Sequence, residues 1–371
     1  MSEFVIIGGG VYGAATAWRL AGAGASVTLL EEREPATRAS GGPGRRGVRA
    51  NGREPRELPL MRDAYALWPT LHEALNVPQF YERTGHLLLA ESDEDVARVE
   101  AHAVAQNALG IETEMLYGEA LREREPLLAP ALRAAAYCPL DGVADHTATT
   151  LAYLAAAKAH GAEVRTHTEI ASIEIKAARA TAVVTTQGER VEATRGILVL
   201  TNSTVATLLR PFCDLPVWSA CFQVLVTDTF DSVPFTHLLG HVSRTVSLKR
   251  EGHGQVMISG GWRGQWDATM REGAAFSASI DANVREAVSV VPALEGLTVV
   301  TADASHQESL TTDSVPIIDT LPGANNLFFA TGWCGHGWAI APVIADALGQ
   351  WALTGERLAA LTPFSLSRFG A

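Results

Sequence analysis

Residues Phe4 to Glu32, FVIIGGGVYGAATAWRLAGAGASVTLLEE, constrain this chain more tightly than any other stretch. An apolar run of buried-strand type, Phe4 to Ile7, leads straight into Gly8-x-Gly10-x-x-Gly13, and Ala14 to Leu20 continues in good helix formers. A second apolar run, Val27 to Leu30, ends in the acids Glu31 and Glu32. Gly8 permits a tight turn, Gly10 lets a pyrophosphate approach the backbone, and Gly13 lets the helix pack close to the strand. The helix N-terminus offers free N–H groups and a positive dipole end to phosphates. Glu31, 18 positions past Gly13, stands where a carboxylate accepts from both hydroxyls of an adenosine ribose and repels a 2′-phosphate. The expectation is a dinucleotide site including Val11, Tyr12 and Glu32, with NADP disfavoured.

Length sets the next bound. At 371 residues the chain exceeds one ordinary core and suits two intertwined ones. With 47% hydrophobic and 19% charged residues, extended disorder is excluded. A net charge of −12 argues against nucleic acid or an anionic membrane as partner. No apolar run approaches the ~18 residues of a membrane helix. The first strand begins at the fourth residue, leaving no room for a secretory leader, and the four cysteines show no metal or disulfide spacing. The expected location is therefore cytoplasmic. The histidines are scattered, and no metal site is expected.

After Glu32 a loop dense in glycine carries five arginines between Arg38 and Arg53, readable as plain surface or as a segment beside an anionic cofactor. The spacing of Leu58, Met61, Tyr65, Trp68, Leu71 and Leu75 predicts an amphipathic helix over 56–75. Thr84 to Ala90 reads as a strand, and Ser92 with Asp95 as a capping box. Asp145 to His160 reads as a helix ended by Gly161, with Asp145 as its N-cap. Val164 to Ile175, Ala180 to Thr186 and Gly196 to Thr201 read as strands that resume the βαβ rhythm. From Pro211 to about Ala304 the pattern shifts to short strands, including Phe222 to Thr227, Thr245 to Leu248 and Gln255 to Gly260, with one helix near 278–289. The expected fold is α/β, a Rossmann-type domain interrupted by an inserted α+β domain built on an antiparallel sheet. The expected division gives the cofactor domain 1–83, 141–210 and 311–371, and the inserted domain 84–140 and 211–310.

The opening fingerprint, the loop Ala39 to Arg49, the segment Thr311 to Asp319 and the closing run Asn326 to Pro342, with its Gly332-Trp333-Cys334-Gly335-His336-Gly337-Trp338, together resemble the FAD-dependent D-amino-acid oxidase superfamily. Within it, the pattern is most similar to the glycine oxidase and sarcosine oxidase branch, and to the flavin subunits of opine oxidase and hydrogen cyanide synthase. The resemblance implies FAD as cofactor, held extended between the two domains. It implies oxidation of a C–N bond: a C–H bond beside an amine nitrogen delivers hydride to the flavin, and the imine is hydrolysed.

Residue by residue, the resemblance gives Gly8, Gly10 and Gly13 to the pyrophosphate, Glu31 to the ribose and Ile170 to the adenine. It sets Ala39, Ser40, Gly41 and Gly42 beside the flavin and Gly332 to Trp338 around its far side. Arg46 falls near the flavin ring and Arg49 on a clamp for the substrate carboxylate, where a planar, permanently charged fork suits the task. The competing reading of Arg49 is a salt bridge between loop and helix. Where sarcosine oxidase carries an oxygen-promoting lysine this chain has Met257, and where it carries the cysteine tied to FAD this chain has His306. Glu308 stands where glycine oxidase has a carboxylate-binding arginine, and the second such arginine falls on Gly335. Either Arg49 replaces that missing clamp, or the acid at 308 faces a cationic part of the substrate such as a guanidinium, an amine or a second nitrogen. Trp262, Trp266, Trp333 and Trp338 are open between pocket wall and simple packing. The implied substrate is a small amino acid or N-substituted amine, the acceptor oxygen or an electron-transfer partner, and the assembly a homo- or hetero-oligomer; a 2-hydroxy-acid substrate is the alternative.

Overall fold

The structure, a computed structural model, describes residues 1–40, 42 and 44–370. Two eight-stranded sheets divide the chain between them. The first, the cofactor sheet, runs in the order Ile170–Lys176, Arg179–Thr185, Arg190–Val199, Ser2–Ile7, Val27–Leu30, Glu163–Arg165, with Ala324–Thr331 also on Arg190–Val199 and Ile317–Leu321 beyond it. Its centre is parallel: Ser2–Ile7 pairs with Val27–Leu30 on one side and Arg190–Val199 on the other. Parallel strands are covered on both faces, which is why Val5, Ile6, Leu29 and Leu30 form unbroken apolar runs with no exposure at all. Helices Val11–Gly22, His146–Ala159 and Ala341–Thr354 cover one face with alanine-rich surfaces that permit close approach.

The second sheet runs Val299–Asp303, Val224–Thr227, Gln255–Ser259, Ser247–Glu251, Leu238–His241, His86–Ala90, Ala134–Cys138, Glu114–Tyr117. All its pairings are antiparallel except Leu238–His241 on His86–Ala90, the seam where the chain re-enters after building part of the cofactor sheet. Strand alternation sorts its side chains. Leu87, Leu89, Leu239, Leu248, Val256 and Ile258 join a core that includes Ala287 and Val290 of the helix Ser277–Val290. Their neighbours His86, Leu88, Leu238, Gly240, Ser247, Lys249 and Ser259 line a cavity on the opposite face. This sheet is the roof of the site. A three-stranded ribbon, Arg45–Val48 and Tyr81–Glu82 flanking Gly142–Asp145, forms a further small sheet.

The Rossmann-type domain and the inserted α+β domain are therefore present, and several local readings need correction. The amphipathic segment 56–75 is not one helix: Leu58–Leu67 gives way to a 3-10 turn at Trp68–Thr70 because Pro69 has no N–H to donate. The stretch 164–175 is two strands, Glu163–Arg165 on the parallel edge and Ile170–Lys176 in an antiparallel hairpin with Arg179–Thr185. The strand read as 245–248 is Ser247–Glu251. Ser92 does accept from the Asp95 N–H at 3.1 Å in a full capping box, Asp145 caps its helix through the Ala148 N–H at 2.8 Å, and Gly161 takes φ +91° past the helix end.

Candidate functional site

Between the glycine turn and the roof lies a cavity of about 740 Å³, a size typical of ligand and cofactor sites. At its base Gly8 holds φ +108°, and a Cβ there would sit 2.7 Å from the Leu200 carbonyl oxygen. A Cβ on Gly13 would lie 1.8 Å from the Gly8 carbonyl oxygen, so this glycine is what brings helix and strand together. A Cβ on Gly10 would meet nothing within 4 Å, which leaves open space in front of the helix N-terminus. That helix has no side-chain cap and no acid in its first turn, so its free N–H groups address the cavity rather than a protein acceptor. Glu31 accepts from the Gly9 and Arg33 N–H groups, and burial pushes its carboxyl above the ordinary value. Glu32 pairs with Arg271 at 3.0 Å, and both line the cavity, as does Ile170.

A polar ligand is also required by what has no partner. Thr201 Oγ1, His306 Nδ1, His146 Nε2 and Trp338 Nε1 are buried without a hydrogen bond, and all four residues line the cavity. An extended, polar dinucleotide fits these observations: glycine cradle, free helix N-terminus, acid and orphaned donors follow one another along one cleft.

The far wall is the loop after Ala324–Thr331. Trp333 stacks on Tyr12 with ring centroids 3.8 Å apart and planes within 7°, and the Tyr12 hydroxyl donates to the Gly337 carbonyl at 2.6 Å. Gly332 takes φ +78°, and the Cys334 N–H reaches the Ser309 carbonyl at 2.9 Å, tying the loop to the strand Gln307–Thr311. Arg53 donates to the His336 carbonyl at 2.9 Å and pairs with Glu57 at 2.9 Å, both side chains fully buried. His336 Nδ1 lies 3.1 Å from Glu57, whose carboxyl is raised by burial but held below its ordinary value by Arg53 and His336. The salt bridge between loop and helix is thus made by Arg53.

Arg49 has a different setting. Its guanidinium lines the cavity, donates to the Asn51 carbonyl, and has no carboxylate partner among the described residues. The segment after it is fixed by Asp141, which accepts from the Ala50 N–H at 2.7 Å, the Asn51 N–H at 3.3 Å and the Tyr65 hydroxyl, and lies 3.2 Å from His86 Nδ1. Burial keeps His86 below its ordinary value against the pull of Asp141. Arg46 donates to the Gly42 and Arg45 carbonyls and to Met257 Sδ at 3.4 Å; burial brings it down to about 10. Gly41 lies outside the described residues. Ala39, Ser40, Val11, Cys334 and Gly335 line the same cavity.

Glu308, 6% exposed, lines the cavity from the strand Gln307–Thr311 and accepts from the Ser309 N–H at 3.0 Å. Burial pushes it up to about 7, against hydrogen bonds from Asn202, Ser309, Ser40 and Gly335. It has no basic partner among the described residues. Met257 is buried in the roof, and its cross-strand neighbour is Lys249. Lys249 lines the cavity, and a strand placed two residues early hides it. In the true register, the alternation Ser247, Leu248, Lys249 points to it. His146, which the sequence shows only as part of a capped helix start, also lines the cavity, and burial lowers it to about 4. Trp266 and Trp338 are lining residues, whereas the Trp262 indole donates to the Thr245 carbonyl at 2.8 Å. Glu91, Asp95 and His241 bring one potential metal ligand each within 4.8 Å, a grouping the linear sequence hides. Glu91 is bound to Arg244 through one oxygen, Asp95 belongs to the capping box, and His241 Nδ1 accepts from the Ser243 and Arg244 N–H groups, which puts the proton of the neutral ring on Nε2, itself buried without a hydrogen-bond partner among the described residues. Among the described residues no helix is long and apolar enough to cross a membrane.

Comparison with known proteins agrees with this geometry. The profile of the family described as FAD dependent oxidoreductase matches residues 3–351. The sarcosine oxidase beta subunit of Arthrobacter sp is 26% identical over 376 residues, covering 99% of this chain and 91% of that protein. An opine oxidase subunit of Rhizobium meliloti is 27% identical over 385 residues, covering 100% and 98%. Among solved structures, the L-proline dehydrogenase of P.horikoshii superposes with a TM-score of 0.90 at 23% identity, covering 100% of this chain and 98% of that one, a likeness of fold. With the family profile spanning nearly the whole chain and a cleft built to hold the cofactor, this protein belongs to the FAD-dependent oxidoreductase family.

Proposed function

We propose that this enzyme oxidises the C–N bond of a small amino acid or N-substituted amino acid. Bound FAD supplies a ring that accepts hydride from the C–H bond beside the amine nitrogen, leaving an imine for water to hydrolyse. The observation that carries the reading is Arg49, a buried guanidinium on the cavity wall that makes no salt bridge among the described residues, Asp141 and Glu57 acting on it only at longer range. Leaving such a charge desolvated with no direct ion pair is costly, and a substrate carboxylate relieves that cost while fixing the amine end. Asp141 holds the backbone beyond Arg49 so that the fork stays aimed.

Glu308 faces the cationic end of the substrate. With its carboxyl near 7, it can hold a proton at one oxygen or release it within the working range of most enzymes. Glu308→Gln is expected to raise KM; an unchanged KM would remove Glu308 from this role. Oxygen is the proposed acceptor. A second reading, in which electrons pass to a partner protein, draws on the subunit names of the Arthrobacter and Rhizobium relatives.

The deciding experiment is anaerobic reduction of the yellow holoenzyme by glycine, sarcosine, D-amino acids, proline, opines and matched 2-hydroxy acids, followed by air. Bleaching by an amine and rapid recolouring in air supports the oxidase. Slow recolouring favours a partner acceptor, and bleaching by hydroxy acids alone overturns the reading.

A further inference from the structure

The roof carries a second cation that the chemistry above does not use. Lys249 is 5% exposed, lines the cavity, and makes no hydrogen bond or ion pair among the described residues. Glu251, the acid two positions on along the same strand, spends its oxygens on the Arg45 and Gly252 N–H groups instead. Beside Lys249, Ser247 and Ser259 are cross-strand partners, both line the cavity, and neither hydroxyl has a partner among the described residues. Three donors without acceptors thus share one corner of the roof.

Arg49 sits at the other end. A Cβ on Gly52 would lie 3.5 Å from Arg49 Nη1 and 3.6 Å from Leu88 Cδ1, which sets the guanidinium beneath the strand His86–Ala90. That strand is two removed from Ser247–Glu251, with Leu238–His241 between, and a Cβ on Gly47 would lie 3.4 Å from Leu238 Cδ2 and 3.7 Å from Arg49 Cδ, so the Arg49 side chain runs beneath these strands toward the same cavity and its charge is felt at Lys249. Gly240 occupies the middle of this span, and a Cβ there would lie 2.9 Å from His86 Nε2, so the His86 imidazole borders the path between the two cations. One carboxylate suits either end; two carboxylates on one small molecule suit both. Burial, with Arg46 close by, brings Lys249 down to about 7, the behaviour of an ammonium that lacks its counter-ion.

We propose that Lys249, Ser247 and Ser259 form a second anion subsite, so that the preferred substrate is an amine carrying two carboxylates, one held by Arg49 and the other by this corner of the roof. The proposal rests on the amine-oxidation reading for its amine but not for its carboxylates, and the test separates the two.

Oxidised holoenzyme is titrated with glutarate and with butyrate, following the perturbation of the flavin's visible spectrum, for the wild type, Lys249→Met and Ser247→Ala/Ser259→Ala. The expectation is glutarate binding tighter than butyrate by ~10–100-fold, the yield of charged hydrogen bonds, with the advantage lost in Lys249→Met and reduced in the double serine variant. In turnover, Lys249→Met should lower kcat/KM for iminodiacetate and N-(1-carboxyethyl) amino acids by ~10-fold or more beyond its effect on sarcosine and proline. Equal affinity for the two acids, or a glutarate advantage that survives in Lys249→Met, overturns the subsite. A glutarate preference that depends on Lys249 in an enzyme no amine reduces would uphold the subsite and sink the amine-oxidation reading instead.

Discussion

Tyr12 and Trp333, from opposite ends of the chain, lie face to face with ring centroids 3.8 Å apart, and the tyrosine hydroxyl is tied to Gly337 in the same loop. The contact clamps the closing loop onto the first turn of the cofactor helix.

Trp333→Ala should therefore cost about 3–5 kcal/mol, because a large aromatic surface leaves a cavity behind. Tyr12→Phe keeps the stack and loses one buried hydrogen bond, about 1 kcal/mol. Thermal melts with flavin fluorescence as the readout should show cofactor release moving down in temperature for the first variant much more than for the second. Equal shifts would mean that the stack contributes little.

The glycines at 10 and 13 should fail in different ways. Gly13→Ala drives a methyl into the Gly8 carbonyl and should destabilise even the cofactor-free protein by about 3 kcal/mol. Gly10→Ala meets only open space, so the cofactor-free protein should stay within about 1 kcal/mol of the wild type while FAD affinity falls ~10-fold or more. Paired melts of apo- and holoprotein distinguish the two.

A hairpin of the inserted domain, Gln265–Asp267 paired with Glu272–Ala274, carries Arg271 to the cofactor domain, where it meets Glu32 and Glu169, each at 3.0 Å, while Arg38 donates to its carbonyl at 3.3 Å. Half-exposed ion pairs contribute only about 0–1 kcal/mol each. Arg271→Ala should speed FAD release by ~2–10-fold, and high salt should produce much of the same effect in the wild type. Release rates unaffected by both would detach the hairpin from cofactor retention.

Two buried ionisable groups make stability depend on pH with opposite signs. Glu308 has a folded value raised to about 7 from 4.5, so the folded state binds more protons between these values and stability falls as pH rises across them. Lys249 has a folded value lowered to about 7 from 10.5, so the unfolded state binds more protons between 7 and 10.5 and stability rises with pH there. Glu308→Gln should stabilise most above pH 7. Lys249→Met should stabilise most below pH 7, by ~1–4 kcal/mol, with the gain fading toward pH 10.5. Denaturant melts from pH 5 to 10 check both slopes.

The glycine turn was legible because all its parts are local: strand, turn, helix and acid follow within thirty residues, and each residue type has one physical task there. The capping box at Ser92 and the cap at Asp145 were legible for the same reason. The roof was not. Each of its wall side chains depends on strand register, and placing one strand at 245–248 instead of 247–251 was enough to hide Lys249. The break at Pro69 was present in the sequence but masked by an apolar spacing that runs straight through it. Arg49 was singled out by resemblance, whereas its lack of an acid partner became visible only once Arg53 was seen to take Glu57. Stacks such as Tyr12 on Trp333 leave no trace in a single sequence.

The strand Ala324–Thr331 lies beside Arg190–Val199 in the same sheet as Ser2–Ile7, so the two sides of the cofactor cleft are synthesised more than three hundred residues apart. On the ribosome the glycine turn emerges first and waits, with its stacking partner and the last parallel strand still unsynthesised. A nascent chain stopped before Ala324 has the phosphate cradle but neither the strand nor the tryptophan that closes it. Closure of the cleft by the Trp333 stack therefore has to await synthesis of this late segment.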